Sequence, residues 1–341
     1  MSLQQQNIEL DKLAAAEPGG SQLLSPDLIN DVLAKSPPEI LRSLPLDEFL
    51  KLDVKPRAQL LAPVLPEKGL AMLYAPRGMG KTLLALGMSY AVATGGTVLR
   101  WQAPAPRRVL YIDGEMPLAT IQERLSSIIT GTPKQPAPED FQILAADYFR
   151  DGLPNLATPA GQAAIEPLLK GVALVVIDNI STLATLGHDN DAESWTPVQG
   201  WLLRLRREGI SVLIVHHAGK GGQQRGTSRR EDVLDTSIAL RRPSDYNPTE
   251  GARFEVHVEK ARGAFGDDVK PFEARMEIAD GGATWSMRDL AEVDLSRVTA
   301  LADDGLSVRD IADETGIPRS TVQRLKKKAE ADGHVFPKAS V

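Results

Sequence analysis

Cysteine is absent from this chain of 341 residues. That absence removes disulfides, cysteine-ligated zinc and thiol nucleophiles together. It fits the cytosol, and a cytoplasmic location is the expectation. Long apolar runs are missing too: none approaches the roughly 18 residues of a membrane-spanning helix, so no membrane partner is expected. The N-terminus is polar, with three glutamines and no basic n-region, and no secretory signal is expected there. A basic excess is also lacking. The formal charge of −6 argues against wholesale coating of nucleic acid, although a local basic surface stays open. No internal repeat is visible. What remains is an ordinary globular composition, 42% hydrophobic and 25% charged. The length suits one large domain plus a small one.

The most informative segment is Ala75-Pro76-Arg77-Gly78-Met79-Gly80-Lys81-Thr82. It follows the apolar run Leu70–Tyr74, read as a buried strand, and precedes Leu83–Ala93, read as a helix. Strand, glycine-rich turn and Lys-Thr opening a helix form the context of a P-loop as well as its pattern. Small residues let backbone N–H groups curl around a polyphosphate, and the helix N-terminus adds the positive end of its dipole. Residues Ala75 to Leu83 are therefore the candidate ATP cradle. Lys81 reaches for the β- and γ-phosphates and the Thr82 hydroxyl for Mg²⁺. The first position of the motif is Ala75 instead of glycine, a side chain small enough for the turn to survive.

Short apolar runs then alternate with helical stretches. Strands are predicted at Val109–Ile112, Phe141–Leu144, Val172–Ile177 and Ile210–Val215; helices at Leu118–Ile129, Pro159–Leu169 and Ser194–Arg207. Buried β-rich runs separated by helices predict a mostly parallel sheet covered on both faces. Ser237–Leu240, Phe254–Val258 and Phe272–Ile278 alternate apolar with polar residues and read as antiparallel strands added to one edge. Residues 1–50 read as an extension with short helices at Pro26–Ala34 and Pro38–Leu44, residues 51–290 as the α/β domain, and 291–341 as a small all-α module. A short charged linker is expected at Met287–Asp294.

In an open parallel sheet, ligands sit at the carboxyl ends of the strands. Asp113-Gly114-Glu115 follows the second strand, where a carboxylate faces the γ-phosphate and orients or deprotonates the attacking water. Glu115 is favoured, with Asp113 its close rival. Asp178, after the strand 172–177, has the Walker-B position for Mg²⁺. His216 and His217 end the next strand, and one of them is expected to sense the γ-phosphate; no third ligand is near enough to suggest a metal. The segment 218–230 carries glycines with Lys220, Arg225, Arg229 and Arg230 and no acid. Such a loop suits a DNA backbone, and without an aromatic it does not suit base stacking.

These phrases together resemble the RecA-fold ATPases, most nearly the RepA-like hexameric helicases of plasmids and phages and their DnaB-type relatives. The resemblance spans about residues 55–285 and is carried by Ala75–Thr82, Tyr111–Pro117, Val176–Leu183 and Val215–Arg230. It implies a RecA-like P-loop fold, ATP with Mg²⁺, Glu115 as catalytic base, and a basic loop lining a central channel. It also implies a homo-oligomer, expected as a hexameric ring, in which Arg262, assisted by Lys260, reaches a neighbour's γ-phosphate; Arg229 or Arg230 is the competing finger. An AAA+ layout is not expected, because that class has its glutamate beside the Walker-B aspartate, where this chain has Asn179.

Residues 306–325 read as a helix-turn-helix, with a preceding helix at Leu295–Ala302. Ile311, Ala312, Ile317, Val322 and Leu325 supply its core, Gly316 makes the turn and Ser320 is the expected cap. From Arg319 to Lys328 there are basic residues and no acid, so Arg319, Ser320, Thr321, Gln323, Arg324 and Lys327 are the candidate DNA contacts. Three functions stay open: a DNA motor in plasmid or phage replication, an ATP-switched DNA-binding regulator of replication, partition or recombination, and a non-catalytic regulator with a vestigial pocket. Intact Lys81, Thr82, Glu115 and Asp178 count against the last.

Overall fold

The computed structural model describes residues 43–185, 192–218 and 232–337. Its contacts divide the chain into two units, residues 1–56 and 57–341. In the first, α1 (Leu46–Leu50) is a short exposed helix. The helix expected at Pro26–Ala34 lies outside the described residues, as does most of Pro38–Leu44; residues 43–44 are not helical.

The second unit opens with a small hairpin, β1 (Gln59–Leu61) and β2 (Leu65–Pro66). Then β3 (Leu70–Ala75), buried at every position, leads into α2 (Lys81–Thr94). A second small hairpin, β4 (Thr97–Val98) and β5 (Trp101–Gln102), precedes β6 (Val109–Asp113), α3 (Leu118–Thr130) and β7 (Phe141–Ala145). The chain continues through α4 (Pro159–Ile165), β8 (Leu174–Asp178), α5 (Ile180–Leu183), α6 (Ala192–Arg207) and β9 (Ser211–His217). The helix predicted to reach Leu169 stops at Ile165 and becomes a 3₁₀ turn over Glu166–Leu169. Pro167 has no N–H to continue the α ladder, and its ring would strike the carbonyl four residues back.

Next come β10 (Thr236–Arg241), β11 (Arg253–Ala261), β12 (Phe272–Ala279) and β13 (Gly282–Asp289). Together the long strands form a nine-stranded sheet in the order β13-β12-β11-β10-β3-β9-β8-β6-β7. From β10 to β7 neighbouring strands run parallel, whereas β10, β11, β12 and β13 form an antiparallel meander. The segment at 237–240, expected to be antiparallel to the sheet, is therefore its parallel strand beside β3, and the antiparallel pairing begins with β11. The charged linker expected at 287–294 is absent, because β13 runs to Asp289 and a helix starts at Leu290.

One apolar core lies on each face, as the buried strands require. The first gathers α2, Trp101, Phe254 and Phe272; the second gathers Trp195, Trp201 and Leu202 of α6 with Ile165 of α4. The meander also curls back toward α3. At Gly131, just past that helix, an added Cβ would lie 2.1 Å from the Ala283 carbonyl oxygen. This close approach brings β12 and α3 to opposite walls of one cleft. Gly131→Ala should force them apart, costing about 1–3 kcal/mol, read as a lowered urea midpoint.

The C-terminal helices are α7 (Leu290–Asp303), α8 (Val308–Thr315) and α9 (Arg319–Ala331). Val298, Ala302, Ile311, Val322 and Leu325 form their own core, with Ala312 and Ile317 against it. Gly316 ends α8 at φ +72°, a left-handed turn that favours glycine. Ser320 does not cap α9. Pro318 holds that place with no side-chain cap, its ring fixing the φ that a helix entry needs. Ser307 caps α8 instead, in a reciprocal pair with Asp310. Among the described residues no helix is long and apolar enough to cross a membrane.

Candidate active site

Strand register brings the site together. Asp113 pairs with Asp178 across β6 and β8, and Ala75 pairs with His217 across β3 and β9. The carboxyl ends of four neighbouring strands thus open on one cleft of about 740 Å³. Arg77 to Leu83, Asp113, Glu115, Asp178, Asn179 and His217 line its floor. Arg124 on α3 and Met276 and Ile278 on β12 form its walls.

The phosphate loop is held from within. Lys81 is buried, and its Nζ donates to the carbonyl oxygens of Ala75 at 2.9 Å and Pro76 at 2.8 Å. Burial lowers its pKa to about 8, against the pull of Asp178 and Glu115. Gly80 sits at φ +87°, and an added Cβ would lie 3.1 Å from the Phe254 ring. Both the conformation and the close ring favour glycine here.

Asp178 is buried and accepts from Tyr111 Oη at 2.6 Å; the Thr82 hydroxyl donates to it as well. Burial raises its pKa, opposed by those donors and by Lys81. The two carboxylates after β6 separate by role. Asp113 is buried, and its Oδ1 accepts from the N–H of Glu115 at 3.0 Å and of Met116 at 2.7 Å. Its pKa rises to about 6, chiefly by burial. Asp113 therefore builds the turn that presents Glu115. Gly114 sits tight under α5, where an added Cβ would meet Thr182 Oγ1 at 2.5 Å.

Glu115 points into the cleft. Asn179 Nδ2 donates to its Oε2, and His217 Nε2 lies 3.8 Å from the same oxygen. Asn179 is fixed in turn, because its Oδ1 caps α5 by accepting from Ser181 and Thr182. Burial lowers the His217 pKa, aided by Lys81 and opposed by Glu115. Its Nδ1 is buried without a partner among the described residues. His216 alternates to the other side of β9, as strand geometry demands, and lies buried with Nδ1 3.5 Å from Ser181 Oγ.

Other candidate residues lie elsewhere. Lys260 and Arg262 are at the opposite end of the sheet from their own P-loop, since Ala261 pairs with Thr236, itself beside Ala71. Arg262 donates to the Asp232 carbonyl at 3.0 Å. Lys220, Arg225, Arg229 and Arg230 are outside the described residues. On α9, Arg319, Ser320, Gln323, Arg324 and Lys327 are exposed and Thr321 is half-buried, on the face away from Val322 and Leu325.

Three residues that sequence reasoning missed matter here. Tyr111 braces Asp178, although in sequence it reads only as a core strand residue. Asn179 was noted for not being an acid, yet it orients the acid on the next strand. Arg242, just after β10, lies against the P-loop, with Nε 3.3 Å from Met79 Sδ; nothing in its local sequence signals this.

Residues 297–338 match a family described as a homeodomain-like domain, which agrees with the three-helix module. Among solved structures, a KaiC-like protein from the hyperthermophilic archaeon Pyrococcus horikoshii OT3 is similar, with 16% identity and a TM-score of 0.47 over 68% of this chain and 99% of that one. The flagellar accessory protein FlaH from Methanocaldococcus jannaschii is similar at 10% identity, with a TM-score of 0.44 over 65% of this chain and 91% of that one. Residues 35–223 match a family described as the AAA domain, although the glutamate that lines the cleft follows β6 and does not stand beside Asp178. That match covers more than half of the sequence and contains the phosphate loop, Glu115 and Asp178, so the chain belongs to the AAA-domain family of P-loop ATPases.

Proposed function

We propose that this protein hydrolyses ATP with Mg²⁺ and uses the reaction on DNA, as a helicase-like ring motor of the RepA and DnaB type in plasmid or phage replication. One observation carries the hydrolytic part: Glu115, which follows β6, is held by Asn179 in the same cleft that the phosphate loop lines.

The residues present fit the nucleotide. A buried ammonium whose pKa is depressed by desolvation, as at Lys81, gains most from an incoming anion. Gly78 and Gly80 leave the loop without side chains where a polyphosphate must approach. Thr82 and Asp178 offer facing oxygens for Mg²⁺, which when bound draws charge from the phosphate oxygens. Glu115 then accepts the proton of the attacking water, and Asn179 holds its carboxylate in line. His217, whose charged form is disfavoured by burial, stands beside Glu115 to sense the outgoing phosphate. Lys81 offsets the charge that develops on the phosphate oxygens.

The oligomeric part rests on Lys260 and Arg262. They lie at the end of the sheet far from their own P-loop, so any contact with a γ-phosphate would be made to a neighbouring copy. There Arg262 would stabilise transition-state charge in trans, in a ring expected to be hexameric. Lys220, Arg225, Arg229 and Arg230 would track a DNA backbone, and the exposed cationic face of α9 would enter a major groove.

A second reading has a specific observation behind it. Arg297 of α7 is ion-paired to Asp245 and Glu273 of the ATPase unit, so the helix-turn-helix is anchored to the sheet, as suits an ATP-switched regulator. Forked DNA separates the two. ATP-dependent strand separation supports the motor. DNA-stimulated hydrolysis without separation supports the switch. Absence of hydrolysis with and without DNA overturns both.

A further inference from the structure

The loop between β10 and β11 touches the phosphate loop on one side and the helix-turn-helix on the other. On the first side, Arg242 Nη2 lies 3.4 Å from the Gly78 carbonyl oxygen and its Nε 3.3 Å from Met79 Sδ. The same guanidinium stacks 4.1 Å above the Tyr246 ring. Tyr246 Oη donates to the Gly251 carbonyl at 2.9 Å, and Gly251 and Ala252 line the nucleotide cleft.

On the second side, Asp245 accepts from Arg253 Nη2 at 3.1 Å and from Arg297 Nη2 on α7. Arg253 also pairs with Glu250 at 3.0 Å and Glu273 at 2.8 Å, and Arg297 lies 3.5 Å from Glu273. Arg253 and Glu273 are 7% and 3% exposed. Charges buried this deeply are costly to leave unpaired, so the loop and α7 are held in one arrangement. A displacement of Gly78 or Met79 therefore meets a guanidinium stacked on Tyr246, one residue from the carboxylate that grips the DNA-binding module.

We infer that nucleotide occupancy and DNA binding are linked through this loop, with the Arg297–Asp245 contact as the joint between the two sites. The inference rests on the nucleotide and DNA sites proposed above and adds the residues that couple them. Binding of either ligand that shifts the loop changes affinity for the other, and linkage makes the two changes equal.

The test measures affinity for a labelled mixed-sequence duplex with and without a non-hydrolysable ATP analogue, and affinity for the analogue with and without the duplex. In the parent chain both ratios should agree and fall within roughly 5- to 150-fold. Arg297→Ala should bring both ratios toward one while each ligand still binds alone. Tyr246→Phe removes only the hydroxyl bonded to Gly251 and leaves the α7 contacts intact. It should lower the ratios in a chain whose melting curve is unchanged. Ratios of one in the parent, or parental ratios in both variants, overturn the inference. Failure of either ligand to bind alone overturns the function proposed above, and the linkage with it.

Discussion

Glu115→Gln is expected to hold its nucleotide and lose turnover by roughly 10²- to 10⁴-fold, the range that a positioned general base supplies. The amide keeps the size of the side chain, so the cleft keeps its shape. What it loses is the capacity to accept a proton from water. Asn179 sharpens the expectation. Its Nδ2 donates to Glu115 while its Oδ1 is committed to capping α5, so the glutamine's own carbonyl oxygen can still take that bond and the side chain stays in place. The loss is then chemical and not a collapse of the turn. Asp113→Asn is the informative contrast, because Asp113 accepts the N–H groups of Glu115 and Met116. An asparagine oxygen can still accept both, so its effect should be smaller. Hydrolysis rates at saturating ATP, with affinity for a fluorescent analogue, separate the two variants. If Glu115→Gln turned over at the parent's rate while Asp113→Asn stopped, the base would be Asp113.

Much of this arrangement was legible because the signals were local. The strands Leu70–Ala75, Val109–Asp113, Leu174–Asp178 and Ser211–His217 are each built on a short continuous apolar run, as strands buried on both faces require. The residue after each such strand could then be questioned without coordinates. What was not legible depends on pairing between distant segments. The parallel orientation of β10 follows from its place beside β3, and no residue in Thr236–Arg241 signals it. β13 is harder to read: Ala283, Trp285 and Met287 alternate with polar residues, but only Gly282 and Ala283 are buried, and that end of the strand packs through a backbone approach at Gly131. Arg242 and Tyr246 are two polar residues in a loop until the fold turns them toward the phosphate loop. Ser320 shows the reverse error: a favourable capping residue lies two positions inside the helix, whose entry Pro318 already fixes.

Lys81→Ala should lower hydrolysis by roughly 10²-fold or more, the scale of losing one preorganised donor at a site of developing charge. The ammonium is the innermost cation of the cleft, and burial has stripped it of water. It is held by two carbonyl oxygens of the loop, which stabilise it less than a phosphate would. Its pKa of about 8 makes this visible in a second measurement. A bound polyphosphate favours the charged form and so raises the pKa. Below pH 8 the lysine is already charged in the empty site, and its contribution to binding does not vary with pH. Above pH 8 the empty site loses the proton first, and binding must restore it. Affinity should then fall by up to about tenfold per pH unit until the raised pKa of the complex is passed. Lys81→Ala removes this alkaline decline and slows turnover together. Asp113, titrating near 6, acts only on the acid side and cannot mimic it. A parental affinity that stays flat from pH 8 to pH 10, or a Lys81→Ala chain that hydrolyses ATP at the parent's rate, would mean that the phosphate is held by the loop amides alone.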